Sequence, residues 1–291
     1  MFNCSLCPHR CGALRDDTHG DGRCRMPALP RLARAALHFG EEPCISGEGG
    51  SGTVFFSGCA LSCVFCQNRT ISHDDFGKTV SIERLADIFR QLVDSGAQNI
   101  NLVNPTHYAH AIRRALELYK PPVPVVYNSS GYERTQTLKS LEGYIDIYLP
   151  DYKYADDALA QNFSGIEHYR ETALSAIGEM LRQVGHLQTE NGHAVSGVMI
   201  RHLVLPAHTK NSIAALQDIR EYFGSDVHIS LLFQYTPVTV LPHKELNRTL
   251  TERECRKVFD AMCALGLENG YVQDLSSASD AFIPAFDLTG V

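Results

Sequence analysis

The stretch Thr53-Val54-Phe55-Phe56-Ser57-Gly58-Cys59-Ala60-Leu61-Ser62-Cys63-Val64-Phe65-Cys66 joins a short apolar run to three closely spaced cysteines. Its first four residues are β-branched or aromatic, which predicts a buried strand. The three cysteines follow in a loop that begins at Gly58. Active sites of parallel α/β folds lie at the carboxyl ends of the strands, where this loop would be. The stretch therefore predicts an α/β fold with a metal centre at the carboxyl end of a strand.

The number of cysteines in this loop indicates chemistry rather than a purely structural role. A structural zinc site or an electron-transfer iron-sulfur cluster normally has four protein ligands. Cys59, Cys63 and Cys66 supply three thiolates, which leaves one metal position open for water or substrate. We therefore expect a metal centre that binds a second molecule.

From Thr53 onward, short apolar runs alternate with segments of helical period, which is typical of βα units. Ser81 is expected to cap a helix that ends at Gly96, and Thr251 and Glu254 form a capping box for a later helix. The predicted strands are Thr53 to Phe56, Asn99 to Val103, Val123 to Tyr127, Ile145 to Leu149, Val198 to Leu205 and Val227 to Leu232.

Six such units fall short of a complete eight-stranded barrel, which usually needs about 250 residues. We therefore predict a partial (β/α)6 TIM-like open barrel over residues 51–270. Residues 1–50 would form a loop-rich, Cys-rich N-terminal extension, and residues 271–291 a C-terminal tail that packs on the barrel.

The composition excludes several classes of protein. The chain has 291 residues, with 26 basic and 33 acidic side chains and a net charge of −7, so we expect no nucleic-acid partner. No apolar stretch approaches the roughly 20 residues that span a bilayer, so no membrane partner and a cytoplasmic location are expected. In that reducing setting, ten cysteines indicate metal ligands or catalytic groups rather than disulfides.

A second group of cysteines lies in the N-terminal extension. Cys4, Cys7, Cys11 and Cys24 stand among Pro8, Gly12, Gly20 and Gly22, whose turns can bring thiolates together. Zinc, a single iron or a second iron-sulfur cluster would fit these four thiols, and ordinary free thiols are the alternative. The remaining cysteines, Cys44, Cys255 and Cys263, are predicted to be packing residues.

The three-cysteine loop, with Phe65 just before its last cysteine, resembles that of the radical S-adenosylmethionine (SAM) superfamily. Within that superfamily the chain most resembles the activating enzyme of pyruvate formate-lyase and its poorly characterised relatives. The resemblance implies a 4Fe-4S cluster on Cys59, Cys63 and Cys66, with SAM bound at the open iron. It also implies reductive cleavage of SAM to a 5′-deoxyadenosyl radical that abstracts hydrogen from a substrate.

The resemblance further suggests which residues contact SAM. After the second strand the family usually has Gly-Gly-Glu, whereas this chain has Val103-Asn104-Pro105, so Asn104 is the candidate there. After the third strand, Asn128 and Ser129 would lie beside the methionine part, although the nearest members have aspartate at Asn128. The remaining candidates are Phe65, the Asp-x-Lys pair Asp151 and Lys153, Arg201 for the SAM carboxylate, and Gln234 for the adenosine.

The resemblance favours a protein substrate, possibly a glycyl-radical enzyme, and a flavodoxin or ferredoxin as electron donor. A peptide or a small metabolite is the alternative substrate, because the N-terminal cysteines are absent from the simplest activating enzymes. A non-enzymatic iron-sulfur electron carrier is the more distant alternative. It would explain the cysteines but neither the three-ligand pattern nor Arg201.

Overall fold

The computed structural model describes residues 2–274 and 284–291, and twelve strands lie in this part of the chain. They are β1 (Phe2–Asn3), β2 (Leu14–Arg15), β3 (Arg31–His38), β4 (Ser51–Phe56), β5 (Lys78–Thr79), β6 (Ile100–Val103), β7 (Val125–Ser129), β8 (Ile147–Pro150), β9 (Gln188–Glu190), β10 (His193–Leu203), β11 (His228–Leu232) and β12 (Gly270–Val272).

One large sheet contains most of these strands, in the spatial order β12-β11-β10-β8-β7-β6-β4-β3-β5. From β4 to β12 every neighbouring pair is parallel. The other edge is antiparallel, because β3 runs against both β4 and β5. The sheet does not close on itself within the described residues. The α/β open barrel predicted from the sequence is confirmed, and all six predicted strands are present in it.

Helices connect the parallel strands. In the described residues they are α1 (Pro43–Ser46), α2 (Arg69–Ser72), α3 (Ile82–Asp94), α4 (Ala109–Leu118), α5 (Thr135–Lys139), α6 (Asp157–Ser164), α7 (Tyr169–Val184), α8 (Thr209–Phe223) and α9 (Glu252–Ala264). None of them is both long enough and apolar enough to cross a lipid bilayer.

The predicted helix caps are present. Ser81 Oγ accepts a hydrogen bond from the backbone N–H of Arg84 at 3.1 Å, which satisfies a free donor at the start of α3. Before α9, Thr251 and Glu254 form the reciprocal capping box. These starts depend on contacts within one turn, so the sequence alone can predict them.

The two faces of the sheet pack against different partners, since successive side chains of a strand point to opposite sides. Val54, Leu102 and Tyr127 belong to the main core, together with Phe89 and Ile112 of the helices. A smaller core joins the other face to α1 and contains Cys44, Ile45, Val126, Ile147, Leu149, Leu187, Ala194 and Met199. Helix α1 therefore packs against the face of the sheet that the longer helices leave uncovered.

The extension is more ordered than the predicted loop-rich segment, because β3 lies within residues 1–50. Leu32 and Ala33 are fully buried, and β3 pairs with β4 along most of its length. The sequence RLARAALH lacks a clean alternation of apolar and polar residues, which is why its strand was not predicted. Strand β12, which pairs with β11, was also missed, since three residues beginning with Gly270 give little signal.

The last eight residues lie along β3. Ala35 N donates to Thr289 O at 2.8 Å, and Leu288 N donates to Ala33 O at 3.0 Å. Phe286 packs edge-on against Phe55 with ring centroids 5.4 Å apart. These residues therefore contact the sheet, whereas residues 275–283 of the predicted tail lie outside the described residues.

Candidate functional site

Polar side chains gather at the carboxyl ends of consecutive parallel strands. The three-cysteine loop follows β4, Asn104 follows β6, Asn128 and Ser129 end β7, and Asp151 follows β8. Pairing of Val103 with Asn128, and of Asp151 with Arg201, holds these ends in register. The sequence predicted this gathering because parallel strands share one carboxyl edge.

The three-cysteine loop is held by the end of α6. Ser62 N donates to Ser164 O at 3.0 Å, and Val64 N donates to Phe163 O at 2.8 Å. Phe65 packs edge-on against Phe163, with ring centroids 6.4 Å apart. The loop is therefore fixed by a helix about 100 residues further along the chain, which local sequence reasoning did not reveal.

Each thiol of the loop has a polar partner. Cys63 Sγ lies 3.0 Å from Ser164 Oγ, and Cys66 Sγ lies 3.3 Å from Ser72 Oγ. Cys59 Sγ accepts from Leu61 N at 3.3 Å. Hydrogen bonds to thiolate sulfur tune the potential of an iron-sulfur cluster, so these donors suit cluster ligands.

The free thiols resist ionisation. Burial is the main cause that raises the pKa of Cys59 to about 12, and the nearby thiol of Cys63 adds to the rise. Burial also raises the pKa of Cys63 to about 11, although the nearby Lys153 ammonium opposes that rise. A metal centre that binds these thiols must therefore displace their protons.

A cavity of about 270 Å³ lies beside the loop. It brings together eight of the residues predicted for the site, namely Cys63, Phe65, Cys66, Asn128, Asp151, Lys153, Arg201 and Gln234. Cys59 does not line the cavity, but it lies close enough to Cys63, Cys66 and Lys153 to interact with their charges. The donor set of three thiols beside an open polar cavity fits a cluster with one free metal position.

Asp151 and Lys153 form an ion pair at the cavity wall, with Lys153 Nζ 2.5 Å from Asp151 Oδ2. Burial opposes the charge on Lys153, but Asp151 keeps the pKa of Lys153 above its usual value. The ammonium also lies near Cys63. Lys153 thus supplies a fixed positive charge beside the thiols, where negative charge would accumulate on cluster binding.

Arg201 has partners that the sequence analysis did not identify. Its guanidinium forms ion pairs with Glu41 and Glu42, and its Nε donates to Glu42 Oε1 at 2.9 Å. Burial alone would raise the pKa of Glu42, but Arg201 holds that pKa below its usual value. The predicted partner was the SAM carboxylate. The structure gives this buried arginine two carboxylates from the loop between β3 and α1. Arg201 also lines the cavity, so its contact with the SAM carboxylate stays a prediction.

Asn104 and Ser129 do not line the cavity. Asn104 has a left-handed backbone, with φ of 58°, and its Nδ2 donates to Gly58 O at 2.5 Å. Its Oδ1 accepts from Cys59 Sγ at 3.6 Å. Ser129 Oγ accepts from Gly131 N at 3.2 Å. As placed here, Asn104 holds the cysteine loop and Ser129 holds the loop after β7, and contact of either residue with SAM stays a prediction.

Glu133 is a buried acid that the sequence analysis missed. Its carboxylate accepts from Thr106 Oγ1 at 2.5 Å and from the Tyr127 hydroxyl at 3.3 Å. Burial raises the pKa of Glu133 to about 7, although hydrogen bonds from Thr106, Ser129 and Tyr127 oppose the rise. Glu133 thus ties together the loops after β6 and β7. In the sequence Glu133 follows the candidates Asn128 and Ser129 by a few positions, but no local pattern marks it.

The N-terminal cysteines lie together beside the barrel. Cys4 is buried, Cys7 and Cys24 are half-buried, and Cys11 is exposed. Burial raises the pKa of Cys7 to about 11, and charge on any of the other three thiols would raise it further. Across residues 2–274 and 284–291, no three His, Cys, Asp or Glu side chains are placed to hold one metal ion. Of the other cysteines, Cys44 and Cys255 are buried as predicted, and Cys263 is exposed.

Replacing Asn104 tests its hold on the cysteine loop. Asn104→Gly keeps the left-handed backbone but loses the hydrogen bond to Gly58 O that holds the cysteine loop, so we expect its affinity for iron to fall by about 10-fold. Asn104→Ala loses the same hydrogen bond and should unfold with a free energy about 1 kcal/mol lower than Asn104→Gly, because a Cβ disfavours this backbone. Iron per chain and thermal unfolding measure the two effects. Wild-type iron affinity in Asn104→Gly would contradict the assigned role.

Replacing Arg201 tests its ion pairs. Arg201→Met leaves two buried carboxylates without their cation and should lower the free energy of unfolding by about 3 kcal/mol. Adding Glu41→Gln and Glu42→Gln removes the stranded charges and should restore part of that loss. Denaturant unfolding measures both variants. If Arg201→Met kept its stability but lost affinity for SAM, the carboxylate contact predicted from the sequence would be correct instead.

Comparison with known proteins identifies the domain and the fold. Residues 45–165 match the family described as "4Fe-4S single cluster domain", and this span includes Cys59, Cys63 and Cys66. An uncharacterized protein of Methanocaldococcus jannaschii is 29% identical over 268 residues, which cover 89% of this chain and 73% of that protein.

Solved structures share the fold at low sequence identity. SuiB of Streptococcus suis bound to S-adenosylmethionine matches with a TM-score of 0.53 and 13% identity, over 76% of this chain and 50% of SuiB. SuiB bound to its precursor peptide SuiA gives a TM-score of 0.52 and 14% identity, over 76% and 48%. Methylornithine synthase matches with a TM-score of 0.51 and 13% identity, over 88% and 79%. The chain thus spans about half the length of SuiB.

These matches agree with the geometry of the site. The cluster domain covers the three-cysteine loop, and the fold is shared with structures of radical SAM enzymes, one of which holds SAM. The predicted 4Fe-4S cluster and SAM are therefore the cofactors that this domain and fold support. The shared fold and the match of residues 45–165 to a 4Fe-4S single cluster domain agree with the resemblance to radical SAM enzymes predicted from the sequence.

Proposed function

We propose that the protein is an enzyme that cleaves SAM reductively at a 4Fe-4S cluster held by Cys59, Cys63 and Cys66. One observation carries the proposal: the three-thiol loop and the polar ends of several strands meet at one cavity. When bound, the cluster would pass one electron to SAM, which splits into methionine and a 5′-deoxyadenosyl radical that abstracts hydrogen from the substrate.

The side chains around the cavity support binding of a polar, charged ligand such as SAM. The amides of Asn128 and Gln234 offer both donors and acceptors. Lys153 and Asp151 provide one charge of each sign. Phe65, which packs edge-on against Tyr235, gives the same cavity an apolar wall. These groups would orient SAM against the loop that holds the cluster.

An ionic cluster forms part of the cavity wall. Arg201 and Glu41 line the cavity, Arg201 pairs with both Glu41 and Glu42, and Glu41 also accepts from Asn101 Nδ2 at 2.9 Å. Ile45, next to these carboxylates in the chain, packs with Leu149 and Met199 in the smaller core. These contacts would hold the loop before α1 in place beside a bound ligand.

We further propose a polypeptide substrate, with a glycyl-radical enzyme as the first candidate and a flavodoxin or ferredoxin as electron donor. The sheet is open within the described residues, which leaves room for a large partner at its carboxyl edge. The match to SuiB, solved with its precursor peptide, supports a polypeptide substrate. A peptide or a small metabolite in place of a protein is the alternative substrate, because the N-terminal cysteines set this chain apart from the simplest activating enzymes.

Cleavage of SAM by the purified protein tests the proposed reaction. After anaerobic reconstitution with iron and sulfide and reduction with dithionite, the wild type should convert SAM to 5′-deoxyadenosine and methionine. Cys63→Ala should form neither product, because it removes one of three cluster ligands. Cys263→Ala, which changes an exposed cysteine of α9, is the matched control and should keep wild-type activity. Chromatography with mass spectrometry measures both products. If the wild type forms neither, the protein is better explained as an electron carrier.

Deuterium transfer tests the proposed substrate. Pyruvate formate-lyase carrying α-deuterated glycine is incubated with the reduced protein and SAM, and the mass of the 5′-deoxyadenosine is measured. Abstraction from a glycine should add one deuterium to this product. The same partner labelled with deuterated leucine is the control and should add none. Cleavage of SAM without transfer from labelled glycine would contradict this partner and leave the reaction itself intact.

A further inference from the structure

Four cysteines outside the proposed active site form a second group of metal-binding side chains. We propose that Cys4, Cys7, Cys11 and Cys24 bind an iron-sulfur cluster, and that this cluster lies directly against the loop of Cys59, Cys63 and Cys66. The inference uses residues that the proposed SAM chemistry does not require. It therefore stands or falls separately from that function.

The local fold brings these four residues together. Strands β1 and β2 pair, and Cys4 continues the hairpin, with its N–H donating to Ala13 O at 2.8 Å. A turn from Cys7 to Arg10 directs the chain back toward Cys11. A Cβ added at Gly22 would lie 3.2 Å from Cys11 Sγ, so this sulfur rests on the segment that leads to Cys24. The four thiols are close enough for charge on any one to affect Cys7.

The position of the four thiols favours a redox-active cluster over a single zinc ion, because their segment lies against the loop of Cys59, Cys63 and Cys66. A cluster there could exchange electrons with the proposed 4Fe-4S cluster, whereas zinc has no redox chemistry. No three His, Cys, Asp or Glu side chains of the described residues are placed to hold one metal ion, and this is equally so for Cys59, Cys63 and Cys66, which lie in the matched 4Fe-4S domain.

Electrostatics also suit a cluster with four thiolates, which carries net negative charge. Arg15 is almost fully buried, and its Nη1 lies 3.5 Å from Cys4 Sγ as a hydrogen-bond donor. The same guanidinium donates to the backbone carbonyls of His107 and Pro27, which fixes its position. A buried cation held against a ligand sulfur would stabilise the anionic cluster.

The second group packs onto the loop of the first. His9 Nε2 donates to Ala60 O at 2.8 Å, within the three-cysteine loop. Gly58 begins that loop with φ of 82°, and a Cβ there would clash with Met26 and lie 3.2 Å from Cys24 O. Glycine at this position thus permits close approach of the two loops. Since four thiolates leave no open iron, the second cluster would transfer electrons rather than bind SAM.

Metal analysis of two variants tests the inference. A variant with Cys59, Cys63 and Cys66 changed to Ala should still bind iron and acid-labile sulfide in equal amounts after anaerobic reconstitution. Its reduced electron paramagnetic resonance signal should not change when SAM is added. A variant with Cys4, Cys7, Cys11 and Cys24 changed to Ala should lose that iron and keep the SAM-responsive signal. The wild type should bind the sum of the two amounts.

Several results would overturn the proposal. The variant that lacks Cys59, Cys63 and Cys66 would contradict it by binding no iron, or by binding one zinc or one iron per chain without sulfide. A SAM-responsive signal from that variant would contradict it as well. Cys263→Ala is the control for loss of a cysteine, and circular dichroism checks that each variant is folded. If the quadruple variant does not fold, Cys11→Ser, which changes an exposed ligand, should still alter the signal of the second cluster alone.

The spectrum of the wild type with both clusters reduced tests whether the two clusters are adjacent. Spin coupling should make that spectrum differ from the sum of the spectra of the two variants, and a spectrum equal to that sum would contradict adjacency.

Discussion

Parallel pairing of neighbouring strands is the constraint on which the site depends. In the order β4-β6-β7-β8-β10-β11-β12 each strand pairs in parallel with the next, so their carboxyl ends lie along one edge. The three-cysteine loop, Asn128 and Asp151 are far apart in the chain, yet this pairing brings them to that edge. A shift of one residue in the pairing register of a strand would turn its side chains to the opposite face of the sheet. The cavity is therefore a consequence of register as much as of residue type.

A second constraint acts inside the barrel, where charged groups must find partners. Arg201 lies on β10, and its two carboxylates come from the loop before α1, about 160 residues earlier in the chain. Because an isolated buried charge is costly, this ionic cluster fixes the loop beneath the cavity. The N-terminal segment thus contributes to the barrel at three places: β3 extends the sheet, α1 fills its interior, and the segment containing His9 contacts the cysteine loop.

Much of the fold could be predicted because its signals are local. The six predicted parallel strands, the Ser81 cap and the Thr251 capping box each depend on residues within a few positions. The strands that were missed carry weak local signals. β3 has an irregular pattern and is covered by the C-terminal residues, and β12 is only three residues long. Such strands form because a neighbouring edge needs hydrogen-bond partners, which a sequence pattern does not record.

The sequence by itself determined the chemistry available at the site, since three thiols at that spacing after a strand leave one metal position open. It also indicated a second set of four thiols. Only the tertiary structure decided what each polar residue contacts: it turned Asn104 toward the cysteine loop, paired Arg201 with Glu41 and Glu42, and buried Glu133 between two loops. The physical reason is that ligand identity and cysteine spacing are properties of a short segment. Burial and charge pairing depend on residues that only folding brings together.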